Sequence, residues 1–174
     1  LYQNTTGQFN TAIGHYTLIS NTTGSDNTSL GAYALDAATT AHGNTALGRS
    51  ALTAVTTGHS NVGVGCSALR VSTANNNCAV GYHALLANTT GAENTAVGTY
   101  ALKAVTTSSN NTAVGYEAAT ETTTATGVVA IGYGAANKNE TGTGTVAIGY
   151  RARRYGTGHD NCTAVGYEAL EGTN

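Results

Sequence analysis

The sequence predicts an all-β protein, a parallel β-solenoid (β-roll) of about ten 17-residue coils that takes up the whole chain, residues 1–174. Three observations predict it. Strings of the type Asn-Thr-Ala-Val-Gly recur along the chain and end at Gly14, Gly31, Gly48, Gly65, Gly81, Gly98, Gly115, Gly132, Gly149 and Gly166. Their spacing is 17 residues throughout, apart from one step of 16 between Gly65 and Gly81. The composition holds 23 Gly and no Pro, Met or Trp, and 9% of the residues are charged, against about 25% in an ordinary soluble domain.

Each coil reads alike from its anchor glycine. Four residues before it stand Asn10, Asn27, Asn44, Asn61, Asn77, Asn94 and Asn111. Thr, Val or Cys usually follows, then a small residue such as Ala12, Ser29 or Ala164, and Ile, Leu or Val directly before the glycine. After it come a Tyr within two positions in most coils, Ala at the third and Leu at the fourth, as in Tyr33-Ala34-Leu35. A spacer rich in Thr-Thr-Gly closes the coil, as at Thr22-Thr23-Gly24. Helix pairs need about 33 residues or more per unit, and β-branched residues with frequent Gly are poor helix formers. Seventeen residues accommodate two strands of about four residues and two turns. Repetition in register then stacks each strand on its copy at about 4.8 Å. The missing residue of the short coil falls in the polar spacer between Leu69 and Asn77, where a deletion costs least. Stacking also accounts for the composition, because like charges on successive rungs repel and Pro deletes a ladder hydrogen bond.

Successive strand residues face opposite ways, so the small residue and the aliphatic residue before each glycine belong to different faces. The Ala and Leu after it are expected to alternate likewise. Both faces are then apolar or small, yet a narrow roll has one interior. The second set points to a homo-oligomer in which it fills a subunit interface. The Asn column is expected to stack amide on amide from Asn10 to Asn111.

Val129-Ala130-Ile131-Gly132-Tyr133 and Val146-Ala147-Ile148-Gly149-Tyr150 resemble the repeats of YadA-like trimeric adhesin heads. The run from Cys162 to Leu170 is similar to repeats of bacteriophage tail fibres, with Cys in the Asn place. The likeness covers essentially the whole chain. It implies a left-handed roll, three chains about a common axis, and an extracellular, cell-surface or virion location.

A basic nucleic-acid footprint is absent, with seven Lys+Arg against nine Asp+Glu, and no apolar run is long enough to span a membrane. The chain begins at Leu1 and its repeat is out of phase at both ends, so the array is expected to be cut from a longer protein. Cys66, Cys78 and Cys162 make neither a disulfide framework nor a metal knuckle. Glu117 and Glu168 share a slot but lie three coils apart, about 14 Å by strand spacing, beyond the roughly 5–9.5 Å of carboxylate pairs that hydrolyse glycosides. No nucleophile triad or phosphate loop occurs, so no enzyme activity and no cofactor is expected. His42 and His59 occupy one slot in consecutive coils, but two ligands make no metal site.

Three features remain as candidate surface elements. Arg151, Arg153 and Arg154 form the one charge cluster, with Arg153 in the Leu slot that Ala119 and Ala136 already weaken; they read as a contact for anionic glycans or phosphates, or as packing and a subunit salt bridge. Asn4, Asn21, Asn88 and Asn139 are sequons in one spacer slot, either a row of glycans along an edge or turn residues; Asn27, Asn110 and Asn161 are sequons elsewhere. Paired Thr, from Thr5-Thr6 to Thr106-Thr107, could form an ice-binding ladder, although only one of two adjacent residues can share a plane. The leading expectation is a structural and adhesive rod of a surface fibre, an adhesin head or tail-fibre shaft, that meets host glycan or protein. An ice-binding solenoid and a glycosylated, self-polymerising filament are the alternatives.

Overall fold

The computed structural model describes residues 1–172 of the 174-residue chain. Each anchor glycine is preceded by one three-residue strand: β1 (Thr11–Ile13), β2 (Thr28–Leu30), β3 (Thr45–Leu47), β4 (Val62–Val64) and β5 (Cys78–Val80). The series continues with β6 (Thr95–Val97), β7 (Thr112–Val114), β8 (Val129–Ile131), β9 (Val146–Ile148) and β10 (Thr163–Val165). They form one ten-stranded parallel sheet in chain order. Register follows the sequence repeat, with Ala12 opposite Ser29 and Ala113 opposite Ala130. The chain is a β-solenoid, and no helix occurs among the described residues. Nine steps of about 4.8 Å make the sheet roughly 43 Å tall.

The second strand of each coil does not form. Residues two and four places after each anchor glycine hold positive φ in every coil, at 55° and 48° for Tyr16 and Leu18 and at 62° and 49° for Tyr100 and Leu102. A strand cannot pass through that region. The chain instead makes two tight turns in succession, closed by Ala34 N–H to Gly31 C=O at 3.4 Å and Ala38 N–H to Leu35 C=O at 3.2 Å. The expected alternation of Ala and Leu is lost with the strand. Ala34 and Leu35 both point inward and are fully buried, as are Ala51 with Leu52 and Ala101 with Leu102.

The turns nonetheless bond from coil to coil. Thr28 N–H donates to Asn44 C=O of the next coil, and Gly31 N–H to Ile13 C=O of the previous one. Beyond the strand, Tyr33 N–H reaches back to His15 C=O, while Leu35 and Thr39 donate forward to Ala51 and Thr56. Ladder bonds thus circle most of the coil, and this offsets the cost of burying its backbone.

The interior is one residue thick. It holds the small strand residue, the Ala and Leu after the glycine, and the Asn before the strand. Burying each Leu contributes about 1.5–3 kcal/mol. The Asn column hydrogen-bonds as a continuous ladder. Asn44 donates its backbone N–H and its Nδ2 to Asn27 Oδ1, both at 3.1 Å, and Asn61 repeats both bonds to Asn44 Oδ1. From Asn10 to Asn94 each Nδ2 also meets a spacer carbonyl, such as Gly58 O at 2.9 Å, while that of Asn111 meets Ser108 Oγ at 3.3 Å. In the short coil Ala74 O substitutes for that glycine carbonyl, at 2.8 Å from Asn61 Nδ2, and Val62 still pairs with Cys78. The ladder closes where Val128 N–H donates to Asn111 Oδ1.

Candidate functional site

With a small residue at its centre packed inward (Ala, or Ser29 in β2 and Gly63 in β4), each strand turns its first and third residues out. The third is always Ile, Leu or Val and none is buried: Leu30 and Leu47 are 42% and Ile131 39% exposed, Ile13, Val97, Val114 and Val165 are exposed in the same column, and Val64, Val80 and Ile148 are half-buried. Beside them run Thr11, Thr28 and Thr45, then Val62 and Cys78, then Thr95 and Thr112. The two apolar sets read from the sequence are therefore divided between inside and outside. The outward set is an unbroken aliphatic stripe along the full height of the sheet, whereas scattered exposed apolar residues are ordinary.

Beyond the bend at the anchor glycine lies an aromatic column. Tyr116, Tyr133, Tyr150 and Tyr167 stack with ring centroids 5.4, 5.2 and 5.2 Å apart and planes within 13° of parallel. Further toward the N-terminus the column is less regular: Tyr100 meets Tyr116 edge-on at 6.3 Å, and His15, Tyr16 and Tyr33 form a separate tilted cluster. Glu117, Arg151 and Glu168 occupy the slot next to the stacked rings. Arg151 lies 5.0 Å over the Tyr150 ring and 3.8 Å from Glu168 Oε1. The carboxylates of Glu117 and Glu168 push the Tyr116 and Tyr167 phenols above their usual pKa. Like any tyrosine, both carry the phenolic proton at neutral pH. Reasoning from sequence located the Tyr slot but not the stack, whose signal is the unbroken spacing of Tyr116, Tyr133, Tyr150 and Tyr167.

The three arginines do not share a surface. Arg151 flanks the Tyr column, and Arg154 lies 5.0 Å over the Tyr155 ring. Arg153 turns into the core and is 3% exposed. Its Nη1 donates to Asn139 Oδ1 at 2.7 Å and its Nη2 to His159 C=O at 2.8 Å. Gly156 makes the room, since a Cβ there would stand 2.6 Å from Arg153 Cγ. Of the two readings of Arg153, contact with surface anions gives way to packing on this ground: the Leu slot it occupies is buried from Leu18 through Ala136.

In the sequon slot the geometry matches the turn reading and not the row of glycans. Asn21, Asn88 and Asn139 are fully buried rather than set along an edge. Their Nδ2 groups donate to the carbonyls of Gly24, Gly91 and Gly142 at 3.0, 2.8 and 2.8 Å, so a glycan on that nitrogen has no room in the folded coil. Asn4, in the first coil, is exposed and donates to Gly7 C=O at 2.9 Å. The paired Thr lie in turns. In four of the pairs the first Thr spends its hydroxyl on the next coil: Thr5 on Thr22 C=O, Thr22 on Thr39 C=O at 3.0 Å, Thr39 on Thr56 C=O and Thr89 on Thr106 C=O at 2.9 Å. The rings of His42 and His59 stack at 5.1 Å. Among the described residues no group of three metal-ligating side chains gathers and no pocket opens. Comparison with family models, with curated proteins and with solved structures gave no match to this chain.

Proposed function

We propose that this chain is a structural and adhesive rod, a segment of an extracellular or virion-surface fibre in which copies pack side by side. The observation that carries the proposal is the outward aliphatic column. Its interior being already filled by Ala, Leu and Asn, the coil has no internal place for a second apolar set. Burial against identical copies removes that stripe from water. The resemblance to YadA-like heads and tail-fibre repeats argues for three copies and a left-handed winding. Function then comes from height, stiffness and the presentation of exposed side chains to a surface glycan or protein, with no catalytic step.

Light scattering on the purified chain tests this. The expected mass is that of three chains, and a monodisperse monomer overturns the side-by-side packing. Leu47→Asp with Val114→Asp should dissociate the assembly while leaving the strand signal in circular dichroism unchanged, because both side chains lie outside the roll and surface changes usually cost within about 0.5 kcal/mol.

A further inference from the structure

Side-by-side packing on the aliphatic stripe leaves the aromatic column without a role. A rod needs no aromatic residues, yet four consecutive coils stack Tyr116, Tyr133, Tyr150 and Tyr167 at a nearly constant 5.2–5.4 Å. Face-to-face stacking occupies the π faces, so a single flat ring finds no platform along the column. The edges remain outside, for all four tyrosines are exposed, from 38% at Tyr150 to 74% at Tyr167. The column thus offers a straight row of hydroxyl groups, one per coil, flanked by the carboxylates of Glu117 and Glu168 and the guanidinium of Arg151. Phenols donate and accept, carboxylates accept and the guanidinium donates. That mixture suits vicinal hydroxyl groups.

The step length selects among polymers. An extended polypeptide repeats each face every ~6.8 Å, and one strand of duplex DNA advances ~3.4 Å per phosphate. Neither keeps pace with the column. An extended β-1,4-linked hexopyranose chain advances one sugar by nearly the same step as the rings; each sugar is turned over relative to the last, so either edge presents ring hydroxyl groups and a hydroxymethyl group by turns, one sugar to each ring. We propose that the coils of β7 to β10 bind such a glycan parallel to the rod axis, one sugar to a coil, through the Tyr116–Tyr167 row with Glu117, Arg151 and Glu168 alongside. This rests on the adhesive reading of the rod and is independent of its subunit number.

Calorimetric titration of the native chain with cello-oligosaccharides of two to six sugars, and with chitohexaose, tests the site; maltohexaose, whose α-linkage coils the chain, is the control. Affinity should rise about threefold to tenfold with each sugar up to four, one hydrogen-bonded rung at a time, and then level off. Maltohexaose should not bind. Tyr133→Phe with Tyr150→Phe keeps the stack and removes two hydroxyl groups; it should weaken cellohexaose by at least about tenfold at unchanged melting temperature. The proposal is overturned if neither β-linked hexasaccharide binds at millimolar concentration, if affinity is independent of length, if maltohexaose binds as well, or if the double Phe variant binds like the native chain. Light scattering on the same sample separates the two readings. A trimer that binds no glycan sinks the site alone, and a monomer that binds cellohexaose sinks only the side-by-side association.

Discussion

Two glycines separate the constraints that stacking places on a single residue. Gly31 holds φ at +136°, and a Cβ there would stand 2.6 Å from Gly48 O in the next coil. Gly43 holds φ at +64°, but its Cβ would meet nothing nearer than 3.9 Å. Asp26, Ser60 and Glu93 occupy the equivalent slot with side chains, at φ near 60°. Gly43→Ala should therefore cost about 1 kcal/mol, the usual strain of an L residue in the left-handed region. Gly31→Ala combines strain with a collision that no rotamer relieves, and should cost about 3 kcal/mol or more. Urea melts of the two variants would check the ranking; equal losses would show that backbone conformation alone, and not coil-to-coil approach, governs the anchor slot.

At the scale of the coil, the strand was legible and the rest was only half so. The Thr-Ala-Val pattern alternates, and the strand's inside and outside follow from period two. The segment after the glycine was not legible, because Leu35 and Leu52 reach the core from φ near 50°, a conformation that propensity assigns to Gly or Asn. Burial in the stacked core holds them there. The sequons left two readings open for a related reason: Asn-X-Thr names a motif but not a side of the chain, and the two preceding turns carry Asn88 and Asn139 inward. The candidate site was legible as columns and illegible as geometry, since ring stacking depends on neighbours 17 residues away. The coil of β9 departs most from the repeat, with Arg153 and Gly156 where other coils place Leu52 with Val55 or Leu102 with Val105. Arg153 is buried with amide and carbonyl partners but no carboxylate, and buried charge is costly to hold. Arg153→Leu alone would leave Asn139 Oδ1 unmatched beside a void at Gly156. Arg153→Leu with Gly156→Val restores the usual core pair and should raise the melting temperature above both single variants, with a coupling of about 1 kcal/mol. Additive single effects would refute the coupling.

At the scale of the whole molecule, each coil touches chiefly its neighbours, so stability should be a sum over coils and interfaces. The ladders add a condition of their own, for every hydrogen bond that circles the coil presumes an identical partner one repeat away. A rod of this kind should tolerate loss of a whole repeat and not of a part. Excision of residues 94–110 removes 17 residues and joins Glu93 to Asn111. Asn111 then inherits the place of Asn94 on Asn77 Oδ1, Cys78 meets Thr112, and Asn-Thr-Ala-Val-Gly replaces itself in the sheet. The shortened chain should fold with the same circular dichroism and lose about 1–3 kcal/mol, following the usual ~0.05–0.15 kcal/mol per residue. Excision of residues 94–101 is half as long but removes β6 and leaves Leu102-Lys103-Ala104 to follow Glu93. It breaks the Asn ladder and sets every later slot against the wrong neighbour, so it should abolish the cooperative melt. Thermal unfolding of the two deletions side by side checks the argument: if the shorter deletion were the better tolerated, in-register stacking would not be what holds the rod together.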